Sequence, residues 1–306
     1  MRNTFSRELL HLAKKDKNII LLSGDIGNRM FDELKKNCPN QFLNCGIAEA
    51  NMMSMAAGMA LCGARPVIYT ITPFTTLRCF EQIKISVSYQ QAPVVIVGTG
   101  SGLSYAELGP THHSLEDIAI LKTIPDINIL APSDSIELAS FLKQSLSLSK
   151  PTYIRIGKKG EPDLNPKGFN PKIGKANYLK EGKDIILFGV GPILSEALEA
   201  ALILKDKGID MAVVSMGSVR PLDSQFLHSV KQKKFKYWLT LEEHGIEGGF
   251  GSSILEWIYS NKLNKEINLK RIAIPNKFIN RLGNQSYLRD QLNINANGIS
   301  QFVINL

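Results

Sequence analysis

Short apolar runs alternate with amphipathic stretches along most of the chain. Thr4 to Lys15 carries Phe5, Leu9, Leu10, Leu12 and Ala13 on one side, which predicts a helix. Asn18 to Ser23 is a continuous apolar run closed by Gly24-Asp25, the pattern of a strand buried on both faces of a parallel sheet. Arg65 to Ile71 is a strand, Phe80 to Tyr89 a helix, and Pro93 to Gly98 a strand running into a loop from Thr99 to His113. Ser114 to Leu121 is a helix in which Ser114 and Asp117 resemble a capping box, and Asn128 to Ala131 is a strand ending at Pro132.

The alternation lapses between Gly157 and Lys183, where prolines, lysines and glycines replace apolar periodicity and mark a linker. It resumes with strands at Asp184–Gly189, Met211–Ser215 and Tyr237–Leu241, and helices at Ser195–Lys207, Phe226–Lys231 and Gly251–Tyr259. Strands alternating with helices on both sides of a linker predict two parallel-sheet α/β domains, the second smaller than the first. The expected division is 1–165, a linker over 166–182, and 183–306. In such sheets ligands collect in the loops at the carboxyl ends of the strands.

Composition narrows the functional classes. With 44% hydrophobic and 21% charged residues in a chain of 306, a packed core is expected rather than disorder. The formal charge is +8, but the lysines are scattered. Their densest group, Lys231 to Lys236, reads as a solvated helix end, so no nucleic-acid partner is expected. The amphipathic, charged start of the chain has neither an apolar leader nor a membrane span, which suggests a cytoplasmic protein with no membrane partner. Cys38, Cys45, Cys62 and Cys79 form no C-x-x-C pair and no metal-ligand spacing with histidine, so no metal site of the chain's own is expected and the thiols read as reduced.

Two stretches carry candidate chemistry. In Gly46-Ile47-Ala48-Glu49-Ala50-Asn51, followed by Met52 to Ala60, a single carboxylate stands between a glycine turn and an apolar helical run. Such a group is either paired or at work, or it simply sits in a first helical turn where the macrodipole favours an anion. In Gly98 to His113, glycines allow close backbone approach and paired histidines stand just before a helix, although one of the pair is explained by a capping or surface role. Gly98, Gly100 and Gly102 lack the register of a dinucleotide fingerprint, and no G-x-x-x-x-G-K-[ST] phosphate loop occurs.

Taken in order, several segments resemble the Pyr and C-terminal domains of the transketolase family along nearly the whole chain. They are Gly24 to Asn28, Gly46 to Glu49 with Ala56-Ala57-Gly58, Phe74 to Gln82 and Gly109-Pro110-Thr111-His112. Ile124-Pro125, Ala131 to Asp134, an edge strand at Tyr153 to Gly157, and Glu242-Glu243-His244 with Gly248-Gly249 follow. The family's cofactor-anchoring G-D-G motif has no counterpart here. The chain thus resembles the C-terminal subunit of a split transketolase, a transferase of a two-carbon ketol unit that needs an N-terminal partner subunit in an α2β2 assembly. The resemblance implies thiamine diphosphate as cofactor, with Mg²⁺ held mainly by the partner, and little cofactor binding by this chain alone.

It also implies roles for particular residues. Glu49 would hydrogen-bond the aminopyrimidine, which requires a carboxyl group with a raised pKa. Phe74 would stack on that ring, Ile71 takes a position that is often aromatic, and Asp25 lies in a loop near the cofactor. His112 would contact the donor's oxygens and move or polarise protons, and Lys158 stands where an arginine meets the acceptor phosphate. Leu108 replaces an aspartate that touches a donor hydroxyl, and Gly100 and Ser101 lack the family's basic residue. These departures suit an unphosphorylated or deoxy donor, or a keto acid. His244 and the glutamates before it fit a structural loop. The competing readings are the β subunit of a 2-oxo acid dehydrogenase, with Leu108 against an alkyl chain, and a non-catalytic regulatory or scaffold subunit.

Overall fold

The computed structural model describes residues 1–27 and 29–306; Asn28, the end of the Gly24–Asn28 segment, lies outside the described residues. In the first half the chain forms α1 (Arg2–Ala13), β1 (Ile19–Ser23), α2 (Asp32–Asn37), β2 (Phe42–Asn44), α3 (Glu49–Leu61), β3 (Arg65–Ile71) and α4 (Thr72–Thr75). After these come α5 (Phe80–Gln82), β4 (Val95–Thr99), α6 (Asp117–Lys122), β5 (Asn128–Leu130), α7 (Ser135–Ser147) and β6 (Thr152–Ile156). The second half forms β7 (Asn177–Lys180), β8 (Ile185–Gly189), α8 (Leu194–Lys205), β9 (Met211–Ser215), β10 (Ser218–Arg220) and α9 (Ser224–Lys231). It ends with β11 (Tyr237–Gly245), α10 (Phe250–Ser260), β12 (Leu269–Ile274), α11 (Gln285–Gln291) and α12 (Ala296–Ile304).

Two sheets result. The larger has seven strands in the order β10-β5-β6-β4-β3-β1-β2, all parallel except β10, and the smaller has five in the order β12-β11-β8-β9-β7, with only β7 antiparallel. Strands β4, β6, β8 and β9 are buried at every position, which is why β4, β8 and β9 read as nearly continuous apolar runs rather than alternations, while β6 buries the charged Arg155 among its apolar residues. Helices cover both faces, so the fold is α/β as the alternation predicts.

Four local expectations change. Ser114 and Asp117 do not cap a helix: α6 begins at Asp117, no side chain caps it, and Ser114 Oγ is buried without a partner. Asp117 instead faces inward and binds Arg155 Nε at 2.8 Å and the Tyr153 hydroxyl at 2.6 Å. The helix expected over Phe80–Tyr89 is regular only through α5 and then widens across Ile83–Ser88, where Tyr89 N–H reaches back to the Lys84 carbonyl at 3.0 Å. The Tyr153–Gly157 stretch is not at an edge, because β6 pairs with β4 on one side and β5 on the other. Finally, β7 forms inside the stretch read as linker by pairing with β9.

The two sheets are joined by more than a covalent connection. Strand β10 comes from the second half of the chain but pairs antiparallel with β5 of the larger sheet. Arg155, 2% exposed, donates from Nη2 to the carbonyls of Ser114 (2.8 Å) and Glu243 (2.9 Å), while its Nε holds Asp117. His244 completes this junction: its Nδ1 lies 2.8 Å from the Gly245 carbonyl and its Nε2 accepts from the Ala119 N–H at 3.4 Å. Glu242 caps the start of α10 through the Gly251 N–H at 2.8 Å and the Phe250 N–H at 2.6 Å, and Glu243 takes the Leu103 N–H at 2.7 Å. The Glu242–His244 segment is therefore structural at this junction. Burial alone would raise the Asp117 pKa, but the Arg155 charge, with the hydrogen bonds from Tyr153 and Arg155, outweighs it and holds the carboxyl below the ordinary range.

The buried charges can be tested by unfolding. Asp117→Asn keeps the side chain's shape but leaves Arg155 buried without its counter-charge, so urea unfolding should show a loss of about 3–5 kcal/mol. A loss under ~1 kcal/mol would mean the pair contributes little. Glu137, at the start of α7, has its pKa raised to about 7, chiefly by burial, despite the 2.7 Å bond it accepts from the Ser133 N–H. A carboxyl with a raised folded pKa contributes stability below its unfolded pKa and loses it as pH rises through the folded value. Glu137→Gln should accordingly match the parent near pH 4, below the unfolded value of 4.5, and exceed it by roughly 3 kcal/mol near pH 8. Denaturant melts at the two pH values would show the crossover, and equal stability at both would contradict it.

Candidate active site

The candidate residues stand at the carboxyl ends of adjacent strands of the larger sheet. Asp25 follows β1, the turn to Glu49 follows β2, Phe74 and Arg78 follow β3, the loop with Tyr105 to His112 follows β4, and Lys158 follows β6. Parallel strands end on one side of the sheet, so residues far apart in sequence meet along one rim.

Glu49 is the first residue of α3, and its side chain is 3% exposed. The same helix face buries Met52, Met53, Ala56, Ala57 and Ala60, the spacing of one helical stripe. The carboxylate is paired: Arg78 Nη1 donates to Glu49 Oε1 at 2.9 Å. Among the described residues no other side chain hydrogen-bonds it. Gly24 forms the wall opposite, where an added Cβ would lie 3.1 Å from Thr70 Oγ1 and 3.6 Å from Glu49 Cγ. Thr70 Oγ1 is itself buried without a partner. Asp25 is exposed with φ +55°, and its Oδ1 accepts from Asn44 Nδ2 at 2.8 Å, while Asn44 Oδ1 accepts from the Gly46 N–H at 3.0 Å. Asp25 thus holds the turn that delivers Glu49.

Phe74 is half-buried in the short helix α4. The Arg78 guanidinium carbon lies 4.1 Å from its ring centroid, and the His112 ring meets it edge-on at 5.2 Å. Cys79, whose thiol donates to the Phe74 carbonyl at 3.1 Å, has its pKa pushed up to about 12 by burial and by the Glu49 charge. Ile71 ends β3 beside Thr99, half-buried.

The loop after β4 continues the line. Tyr105 lies 6.0 Å from His112 between ring centroids, and Lys158 Nζ sits 4.5 Å over the Tyr105 ring. Gly100, at φ +82°, is required here because a Cβ would run into the Tyr105 ring. Lys158 also pairs with Glu107 at 3.6 Å, which offsets its charge, and neighbouring Leu108 is 52% exposed. His112 Nδ1 lies 2.9 Å from Thr111 Oγ1, and burial, His113 and Arg78 lower its pKa, so the imidazole is neutral around pH 7. His113 is buried with Nε2 3.5 Å from the Ala106 carbonyl, the structural member of the pair.

Glu49, Phe74, His112 and Lys158 therefore form one connected line, with Asp25 and Ile71 shaping its rim and Leu108 on its outer turn. Arg78 and Tyr105 are the links of that line, although the sequence alone does not single them out. The spacing of Phe74 and Arg78, one helical turn apart, is the available signal for Arg78. Among the described residues no cluster of three or more His, Cys, Asp or Glu could hold a metal ion, and no helix is long and apolar enough to cross a membrane.

A buried carboxylate, an aromatic ring and an imidazole of lowered pKa thus stand along one sheet rim of an α/β fold. Residues 1–161 match the family described as "Transketolase, pyrimidine binding domain" and residues 174–299 match "Transketolase, C-terminal domain". The chain belongs to the transketolase family. It is 34% identical to an apulose-4-phosphate transketolase subunit of Phocaeicola vulgatus, across 90% of this chain and 88% of that one. It is 30% identical to the 6-deoxy-6-sulfo-D-fructose transketolase subunit SqwH of a Clostridium species, across 98% and 92%. A solved structure described as a split gene transketolase, inactive beta4 tetramer, superposes with TM-score 0.88 at 28% identity, covering 99% of this chain and 96% of that one. The chain is of a transferase family that is thiamine-diphosphate-dependent, and the relatives named as subunits are transferases that work with a partner. These relatives favour the transketolase reading over a 2-oxo acid dehydrogenase β subunit or a non-catalytic scaffold.

The His112 environment gives a direct check. Its imidazole should titrate below the ordinary value of 6.5 by NMR. Arg78→Ala should move the midpoint up only part of the way, because burial remains the larger cause. A midpoint at or above 6.5 in the parent would contradict the geometry.

Proposed function

We propose that this chain supplies the pyrimidine half of a thiamine diphosphate site and the donor-facing wall of a two-carbon ketol transferase. The observation that carries the proposal is the buried Glu49 carboxylate linked through Arg78 to the Phe74 ring, with His112 edge-on to that same ring. A flat heteroaromatic ring with one nitrogen toward Glu49 suits this arrangement, and the close wall at Gly24 leaves no room for a side chain. In this reading residues 1–165 are the pyrimidine-binding domain, 166–182 a linker, and 183–306 the transketolase C-terminal domain.

Bound there, thiamine diphosphate supplies a nucleophilic carbon and an electron sink for cleaving a carbon–carbon bond. Glu49 holds the ring nitrogen and exchanges a proton with it. Phe74 fixes the plane of the ring, and Ile71 and Asp25 border it. His112, neutral near pH 7, accepts or returns a proton at the donor's hydroxyl or carbonyl oxygen. Lys158 offers a point charge, rather than a fork, to an anionic end of the substrate. A named relative acts on a sugar 4-phosphate, which supports an anionic group at that end, although Glu107 moderates the charge here. Leu108 gives the outer turn an apolar side chain with no donor for a hydroxyl.

The diphosphate and Mg²⁺ belong in this reading to an N-terminal partner subunit, in an α2β2 assembly of cytoplasmic carbohydrate metabolism. Relatives named as single subunits of a transketolase, and one named as a split gene transketolase, support a partner. The test is hydrogen–deuterium exchange at C2 of thiamine diphosphate in the complex with the partner. Glu49→Ala should slow that exchange by a factor of about 10² or more, the usual scale for a general acid–base group. Exchange at the parent rate would refute the role of Glu49.

A further inference from the structure

Arg78 makes at once the two contacts that the proposed function assigns to a pyrimidine ring. Its Nη1 donates to Glu49 Oε1 at 2.9 Å, and its guanidinium stacks 4.1 Å over the Phe74 ring. A guanidinium is flat, delocalised and rich in in-plane N–H donors, and it stacks on aromatic faces. An aminopyrimidine needs the same pair of features, a polar edge toward a carboxylate and a flat face against an aromatic ring. A ring that used Glu49 Oε1 and this same face of Phe74 would need the space the guanidinium fills.

The position of Arg78 also suits a group that moves. Its side chain is 46% exposed, its stem lies in the turn between α4 and α5, and its only side-chain partners among the described residues are Glu49 and Phe74. Phe74, by contrast, is anchored, since its carbonyl takes the Cys79 thiol and its helix begins from the buried Thr72 and Pro73. The carboxylate is buried and the ring's backbone is held, whereas the arginine is the most exposed of the three and the one free to swing away without unfolding a helix.

We infer that Arg78 is an internal stand-in for the cofactor's pyrimidine, keeping Glu49 paired and Phe74 covered until the ring displaces it. This rests on the Glu49 and Phe74 roles proposed above. Displacement makes binding by this chain weaker than its two contacts alone would allow, because the arginine contacts are lost as the ring contacts form. It also keeps a buried carboxylate from standing unpaired at an open site.

The experiment titrates the full chain with 4-amino-5-hydroxymethyl-2-methylpyrimidine and with thiamine diphosphate by calorimetry. Arg78→Ala should bind the aminopyrimidine at least tenfold more tightly than the parent. Arg78→Lys should fall between them, since an ammonium can pair with Glu49 but does not cover Phe74 as a plane. Removing a merely structural side chain would weaken binding, so the direction of the change is the test. Equal, weaker or undetectable binding by Arg78→Ala overturns the inference. Should that variant unfold, Arg78→Gln carries the same expectation. Glu49→Gln separates the two claims. If it abolishes binding while Arg78→Ala also weakens it, the Glu49 role stands and the Arg78 inference falls. If Glu49→Gln leaves binding unchanged, the cofactor role of Glu49 fails first.

Discussion

The buried pair of Arg155 and Asp117 is the contact on which the rest of the arrangement depends. Arg155 belongs to β6, and Asp117 opens α6 directly behind the loop that carries His112. The remaining donors of the same guanidinium reach carbonyls in that loop's exit, at Ser114, and in β11 of the smaller sheet, at Glu243. One planar cation thereby sets the distance between a strand, a loop and the second sheet. An ion pair of this kind adds little net stability relative to a well-packed apolar pair, but it tolerates no loss of one member. Its value here is geometric: three segments share one set of fixed hydrogen-bond directions.

The rim above that junction is a row of flat groups. From Glu49 the contacts pass to Arg78, Phe74, His112, Tyr105 and Lys158, each within a few ångströms of the next. Rigid parallel strands place the ends of this row, and irregular loops supply its chemistry, which is the division of labour expected of an α/β sheet. The charge on the row is balanced locally, with Arg78 against Glu49 and Lys158 against Glu107.

Much of this is readable from the chain, and the gaps have physical causes. Buried strands such as β4 and β8 show as unbroken apolar runs, and Glu49 shows because it is the one charge in an apolar helix. Asp117 misleads because a serine three residues before an acid looks like a cap, whereas the direction of the side chain depends on Arg155, which lies far away in sequence. Arg78 is hidden because an arginine beside exposed Leu77 resembles a surface residue, and its contact with Glu49 exists only once the segments after β2 and β3 are brought to one sheet rim. Strand β7 has no apolar alternation to mark it and forms because β9 offers an edge. The widened turn at Ile83–Ser88 has no periodicity of its own either.

The antiparallel pairing of β10 with β5 bears on how this polypeptide can be divided. A strand contributed by the second half closes one edge of the larger sheet, and Arg220 at its end donates to the Ile124 carbonyl at 2.6 Å. Cutting the backbone in the strandless stretch after β6 would leave both fragments still clasped through a shared sheet. Expressing the first half alone would bare the β5 edge, an open template for intermolecular strand pairing. The chain's natural seam is therefore not the proline-rich connection between its two sheets.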